Sequence, residues 1–216
     1  MEQSNNIYEH FKAQPLDIGN AVIREDSDIR EELEILLYIA ENYADETGLG
    51  LFVPHSAEEI KAFEERNGFR LTDELKHFYL FTNGMYGMPG TTEIDNLEDV
   101  EGYYRMGYCD WAEEGDSEKY VCFGNDGGYS YLLTEKETGK LFICYEEDGI
   151  VGIDSFKDEL LHNISAFYEN ILDYREDERI EEYLKKKRGT YVIKMLYIFC
   201  IKCISYRILY FFEKYH

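Results

Sequence analysis

The residue pattern predicts an α+β fold: a mainly antiparallel β-meander sheet packed against N-terminal helices and one C-terminal helix, in a single domain. Three observations carry that prediction. Two capped amphipathic helices follow each other closely between Ser56 and Gly84. Short apolar runs separated by glycine-containing turns then extend from Tyr120 to Tyr145, and a further capped, apolar-striped segment opens at Ser155.

Residues 1–26 show no clear period and read as a loosely docked arm. Ser27 is a good N-cap, with Asp28 in the first turn, and Ile29, Leu33, Leu36, Ala40 and Tyr43 make an apolar stripe on a helix ending before Gly48. Ser56 and Glu59 form an S-x-x-E capping box, in which each side chain satisfies a backbone N–H that the helix leaves unpaired. Ile60 and Phe63 start that helix's apolar face, and Asn67-Gly68 suits a left-handed end. Asp73 and Glu74 occupy the first turn of the second helix, Leu75, Phe78 and Tyr79 face inward, and Asn83-Gly84 ends it. Helices joined so tightly must cross and share one seam, with Phe69 and Leu71 at the corner.

Met85 to Glu118 is glycine-rich, with apolar pieces around Ile94, Leu97 to Met106 and Trp111; one edge strand and one short helix are expected there. The meander follows: strands at Tyr120–Phe123, Tyr129–Thr134 and Leu141–Tyr145, then a short strand at Ile150–Ile153. Its turns fall at Asn125-Asp126-Gly127-Gly128 and before Gly139, and Asp126-Gly127-Gly128 reads as turn chemistry requiring positive φ. Ser155 with Asp158 is another capping box, opening a helix whose Phe156, Leu160, Ile164, Phe167 and Ile171 share one face and should lie across the sheet. The organisation is thus an arm and helix over 1–50, an α+β domain over 51–173, and a charged helix with a basic apolar tail over 174–216.

Apolar residues make up 44% of the 216-residue chain and aromatics 16%, enough for a packed core. The 20 tyrosines can serve as half-buried sheet residues or as a recognition surface. The formal charge of −23 is unevenly spread. Lys185 to His216 holds 8 of the 22 basic residues and one of the 45 acidic ones, so the first 184 residues carry 14 basic against 44 acidic side chains. A field of that sign repels nucleic acid and anionic membranes and steers a basic partner, such as a nuclease, toward the surface. The same acids would also serve as solvated helix faces that maintain solubility.

The N-terminus, Met1 to Asn6, has neither a basic segment nor an apolar one of the secretory kind, so a cytoplasmic location is expected. Cys109, Cys122, Cys144, Cys200 and Cys203 form no even disulfide framework, and reduced thiols are expected.

The stretch from Ser56 to Gly84 resembles the opening of the SUKH superfamily, which includes the fungal Smi/Knr cell-wall synthesis regulators and many bacterial immunity proteins. The residues that carry the resemblance are Glu58-Glu59-Ile60, Phe63-Glu64, Gly68, Leu71, Phe78-Tyr79-Leu80 and Asn83-Gly84. Downstream, Phe123-Gly124, Asp126-Gly127-Gly128, Tyr131, Gly139 and Asp154-Ser155-Phe156 continue it, so that it spans roughly residues 51–173. The sequence departs from the pattern at Thr72, where the family usually has Pro, and at Asn67, where Leu is common. The resemblance implies an α+β domain that acts by binding, commonly as the antidote to a toxin, with no fixed catalytic residues.

Other constellations are weaker. Cys200-x-x-Cys203 lacks a second ligand pair, so no zinc site is expected. The tail from Tyr191 to Phe212, interrupted by Lys194, Lys202 and Arg207, has three readings: an extra packed element, a basic amphipathic stretch on a membrane, or unselected sequence translated past a frameshift. Asp110, Glu113, Glu114, Asp116 and Glu118 cluster beside Trp111 and Tyr108; the spacing is not that of an EF-hand. That loop reads as solvated, as a hot spot for a cationic partner, or as a metal or acid–base site. His77 and His162 are expected to be half-buried structural residues, and neither Ser130 nor Gly124 to Gly128 lies in a nucleophile or phosphate-loop motif.

Taken with the acidic charge, the resemblance implies a non-catalytic, cofactor-free protein-binding domain that neutralises a basic toxin. Its partner surface is assigned to Tyr86, Asp110, Trp111, Glu113, Glu114 and Asp116. The alternative is a regulatory module that tethers signalling or wall-building proteins, and an enzyme is the third reading.

Overall fold

A computed structural model describes residues 21–87, 91–106, 119–125, 130–145, 149–152 and 155–187. The chain divides into two compact units, Met1–Tyr174 and Arg175–His216.

The first unit is the expected α+β fold. Helix α1 spans Arg30–Thr47, strand β1 Gly50–Leu51, α2 Ala57–Asn67 and α3 Asp73–Phe81. Strands β2 (Met85–Tyr86) and β3 (Glu93–Ile94) precede α4 (Leu97–Met106), and the meander follows as β4 (Tyr120–Asn125), β5 (Ser130–Glu135), β6 (Leu141–Tyr145) and β7 (Gly149–Gly152). Helix α5 (Phe156–Leu172) closes the unit. All seven strands form one antiparallel sheet in sequence order, β1 to β7.

One core sits where α1, α3 and α5 meet the sheet. The stripe expected on α1 is buried along its length, and α1 packs along α5, so this helix completes the core. The Phe156 ring meets Phe78 of α3 at 5.2 Å and Phe123 of β4 at 6.0 Å, both edge-on, which fixes the start of α5 against the sheet. Leu160, Ile164, Phe167 and Ile171 continue that buried face. On β4 to β6, Cys122, Leu133 and Cys144 form a second apolar cluster with half-buried Tyr120, Tyr131, Phe142 and Ile150 around it. Neither of these cysteines is in a disulfide.

The local signals are answered in detail. The Ser56–Glu59 box is complete: Glu59 N–H donates to Ser56 Oγ at 3.2 Å, and Ser56 N–H donates to the Glu59 carboxylate at 2.8 Å. Gly68 ends α2 at φ 71°, a left-handed conformation that favours glycine, and Gly48 does the same for α1. Ser155 caps α5 by accepting from Asp158 N–H, while its hydroxyl contacts the Asp158 carboxylate at 3.1 Å.

Several expectations need correction. Ser27 does not cap α1: Ile29 holds that position, and Ser27 Oγ instead accepts from Ile29 N–H in a tight turn before the helix. Thr72 is the cap of α3, accepting from Leu75 N–H, which gives a hydrogen-bonding role to the residue that departs from the family pattern. Thr82, in extended conformation, ends α3 ahead of Asn83-Gly84. The 85–106 region holds two short strands rather than one, neither at the sheet edge, and β1 was not foreseen. Strand β4 runs on through Gly124, beside a bulge, where any side chain would collide with the Glu93 carbonyl of β3; close approach requires this glycine. Asp126, Gly127 and Gly128 lie outside the described residues. His77 is half-buried as expected, whereas His162 is exposed.

In the second unit, Asp177 Oδ1 accepts from Ile180 N–H to cap a helix over 178–187, on which Glu181 and Lys185 pair at 2.5 Å. Residues 188–216, and with them the three readings of the tail, lie outside the described residues.

Candidate functional site

The surface around β1 and the start of α4 is assembled by buried polar groups that hold three chain segments together. Thr82 Oγ1 accepts from Phe52 N–H at 2.9 Å and lies within hydrogen-bond distance of the Phe52 and Gly84 carbonyls. His55 N–H donates to the Tyr79 carbonyl at 3.0 Å, so the connection from β1 to α2 is tied to the end of α3. Gly84, at φ 107°, lies so close to the backbone of Ile94 and Asn96 and to the Phe52 ring that a side chain would not fit.

Asn83 joins this junction to α4. Its Oδ1 accepts from Leu97 N–H and its Nδ2 donates to Glu98, both at 3.0 Å. Asn96 accepts from Asp99 N–H at 2.9 Å and donates to its carboxylate at 2.7 Å, capping the helix. The Asn83 read as a helix stop therefore holds the next helix start. The Asn96-x-x-Asp99 spacing was the available signal for that start.

Carboxylates gather on this surface. His55 stands between two of them, with Nδ1 3.6 Å from Glu59 and Nε2 3.5 Å from Glu98. The hydrogen bonds from Ser56 to Glu59 hold that carboxyl below its ordinary range. Asp95 behaves oppositely: burial, then the nearby Asp99 and Glu93 charges, push it up to about 6. Burial raises Glu93 as well. The Asp95 backbone is fully engaged, with its N–H on Phe123 and its carbonyl accepting from the Tyr79 hydroxyl. Its Oδ2, however, is buried without a hydrogen-bond partner.

Beside the acids lies an apolar strip. Tyr86 covers Gly50 and meets Phe52 at 5.5 Å between ring centroids. Phe52 is 38% exposed and Val53 59%. Of the residues the sequence assigned to a partner surface, Tyr86 is here; Asp110, Trp111, Glu113, Glu114 and Asp116 lie outside the described residues. Sequence reasoning missed His55, Asp95 and Glu98, because only the pairing of β1, β2 and β3 brings them together.

A separate cleft of about 570 Å³ lies by the β5–β6 turn, lined by residues including Thr72, Glu74, Lys140, Phe142, Gly152 and Ser155. Its carboxylate is occupied: Glu74 accepts from Phe156 N–H at 2.8 Å at the start of α5, although burial still raises it above the ordinary range. The acids raised at β3 do not line this cleft. Among the described residues no His, Cys, Asp and Glu group is placed to hold a metal ion, and no helix is long and apolar enough to cross a membrane.

The fold is an antiparallel α+β domain opened by two capped helices and closed by a third across the sheet. The SMI1/KNR4 (SUKH-1) family model matches residues 54–170, more than half of the chain, and the chain belongs to that family. Members of the family are known as immunity proteins of polymorphic toxin systems and are generally non-catalytic. No curated protein matches the chain.

Proposed function

We propose that this protein is an immunity protein that binds and neutralises a cognate toxin with a basic surface, such as a nuclease, in the cytoplasm of the producing cell. The observation that carries this reading is the concentration of acid on a domain of this family: 44 acidic against 14 basic side chains in the first 184 residues, several of them gathered at the start of α4 beside exposed Phe52 and Val53. Such a surface draws a cationic protein in and offers it an apolar anchor. Tyr86 and the residues Asp110, Trp111, Glu113, Glu114 and Asp116 are the docking residues in this reading.

Co-expression with any toxin domain found encoded beside the gene, or captured from the source cells on the full chain, tests the reading. Growth rescued by the full chain is expected; toxicity unchanged by it would contradict the proposal. Retention of several wall-building or signalling proteins, with no toxin among them, would favour the tethering role instead. Reversing Glu113, Glu114 and Asp116 to Lys should slow association and weaken its salt dependence, and unchanged kinetics would remove that loop from the docking surface.

A further inference from the structure

We propose that the outer edge of β1, continued by Phe52 and Val53 beyond its end, takes up an extended strand of the partner protein bearing lysine or arginine at alternate positions, so that the sheet is lengthened across the interface. The inference rests on the reading above that the chain works by binding a basic protein.

Strand β1 ends the sheet, and among the described residues it pairs on one side only, with β2. Phe52 directs both its N–H and its carbonyl to Thr82 Oγ1, next to β2. The planar peptides on either side of Phe52 set the Leu51 carbonyl and the Val53 N–H opposite the Phe52 groups, away from Thr82; Leu51 is buried, so an arriving strand would meet this line of backbone first at exposed Phe52 and Val53. Pro54 follows at once and limits the edge to a short stretch, a common guard against indiscriminate pairing.

Side chains then select what arrives. Phe52 is braced by Tyr86, and exposed Val53 offers apolar contact beside it. Two residues beyond Val53, His55 brings in Glu59 and Glu98, with side chains 62% and 66% exposed, and Asp99, the residue after Glu98 on α4, is exposed as well. Cations on alternate residues of the incoming strand would face this rim while its backbone pairs with β1. A second copy of this chain is a poor occupant, because it carries the same rim and a formal charge of −23.

The test uses the full chain and an eight-residue alternating Lys-Thr peptide, followed by amide chemical shifts and by titration. Binding that shifts Leu51 and Val53, is lost at least tenfold on N-methylating the peptide backbone, and is lost at least tenfold in Val53→Pro is expected. Glu98→Lys, which leaves the edge backbone intact, should weaken the same peptide several-fold and reduce the salt dependence. Shifts elsewhere, equal binding of a Glu-Thr peptide, indifference to N-methylation, or no binding at millimolar peptide would overturn the proposal. So would binding seen only after removal of residues 1–20, which would make the chain's own N-terminus the occupant. Toxin rescue in the co-expression experiment that survives both substitutions would reject this edge while leaving the immunity reading intact; failed rescue by the wild type would reject that reading itself.

Discussion

Thr92 and Asp95 stand three residues apart, on either side of β3, and they meet burial in opposite ways. Thr92 N–H donates to Asn163 Oδ1 at 2.6 Å, its carbonyl accepts from Asn163 Nδ2 at 3.1 Å, and its hydroxyl donates to Glu159 on the same helix. These three residues are at most 8% exposed, and this polar cluster clamps the chain before β3 onto α5. Asp95, on the surface where α4 begins, keeps a buried carboxylate oxygen that nothing satisfies. A buried polar group stabilises only when paired, so the first arrangement strengthens the fold and the second weakens it. The difference separates burial that is matched by hydrogen-bond partners from burial that is not.

The comparison is broken most severely at Asn163. Replacing it with Leu, of similar size, leaves the Thr92 N–H and carbonyl buried and unpaired, and should cost about 3 kcal/mol in urea unfolding. A loss below about 1 kcal/mol would mean the clamp is not what holds this segment. Asp95→Asn should act in the other direction, raising stability by about 2 kcal/mol at pH 7.5. The folded protein holds the Asp95 proton more tightly than the unfolded chain does, since its carboxyl lies at about 6 instead of 3.8. The wild type therefore loses stability as pH rises from about 4 through about 6, and the Asn variant does not. Thermal unfolding of the two should coincide near pH 3.5 and diverge above pH 5; a pH-independent gap would show that the Asp95 charge is not the cause.

Smaller effects sharpen the same contrast at the helix starts. Ser56→Ala removes half of a complete capping box and should cost about 1 kcal/mol. Ser155→Ala should cost less, because Glu74 also accepts from an N–H in the first turn of α5. Equal losses would mean that Glu74 does not share the capping. Glu98→Lys should change stability by no more than about 0.5 kcal/mol, since its carboxylate is exposed, and its effect should appear in binding.

These contrasts also mark what the sequence could and could not express. Helices α2 and α5 were legible because their caps and apolar stripes are local, and β4 to β7 because each run is long enough to show strand character between glycine turns. Strands β1 and β3 have two residues each, too few for any period, and exist through the pairing of Gly50 with Tyr86 and of Ile94 with Gly124. Ser27 looked like a cap because its residue type is right, yet the chain turns once more before α1. Asn83 illustrates the same limit: Asn-Gly signals a chain reversal, but the Leu97 N–H that it accepts from is 14 residues away. The unpartnered oxygen of Asp95 depends on that tertiary arrangement and has no signature in the sequence.

The central claim is that an acidic edge captures a basic toxin, and its most direct test is the association rate of the full chain with a candidate toxin domain recovered from the source cells by affinity capture on the full chain. Wild type and Glu98→Lys would be compared from low to high salt. Fast wild-type association that falls steeply with salt, together with slower and flatter kinetics in Glu98→Lys, is the predicted result. Rates that ignore salt and are the same in both proteins would contradict it.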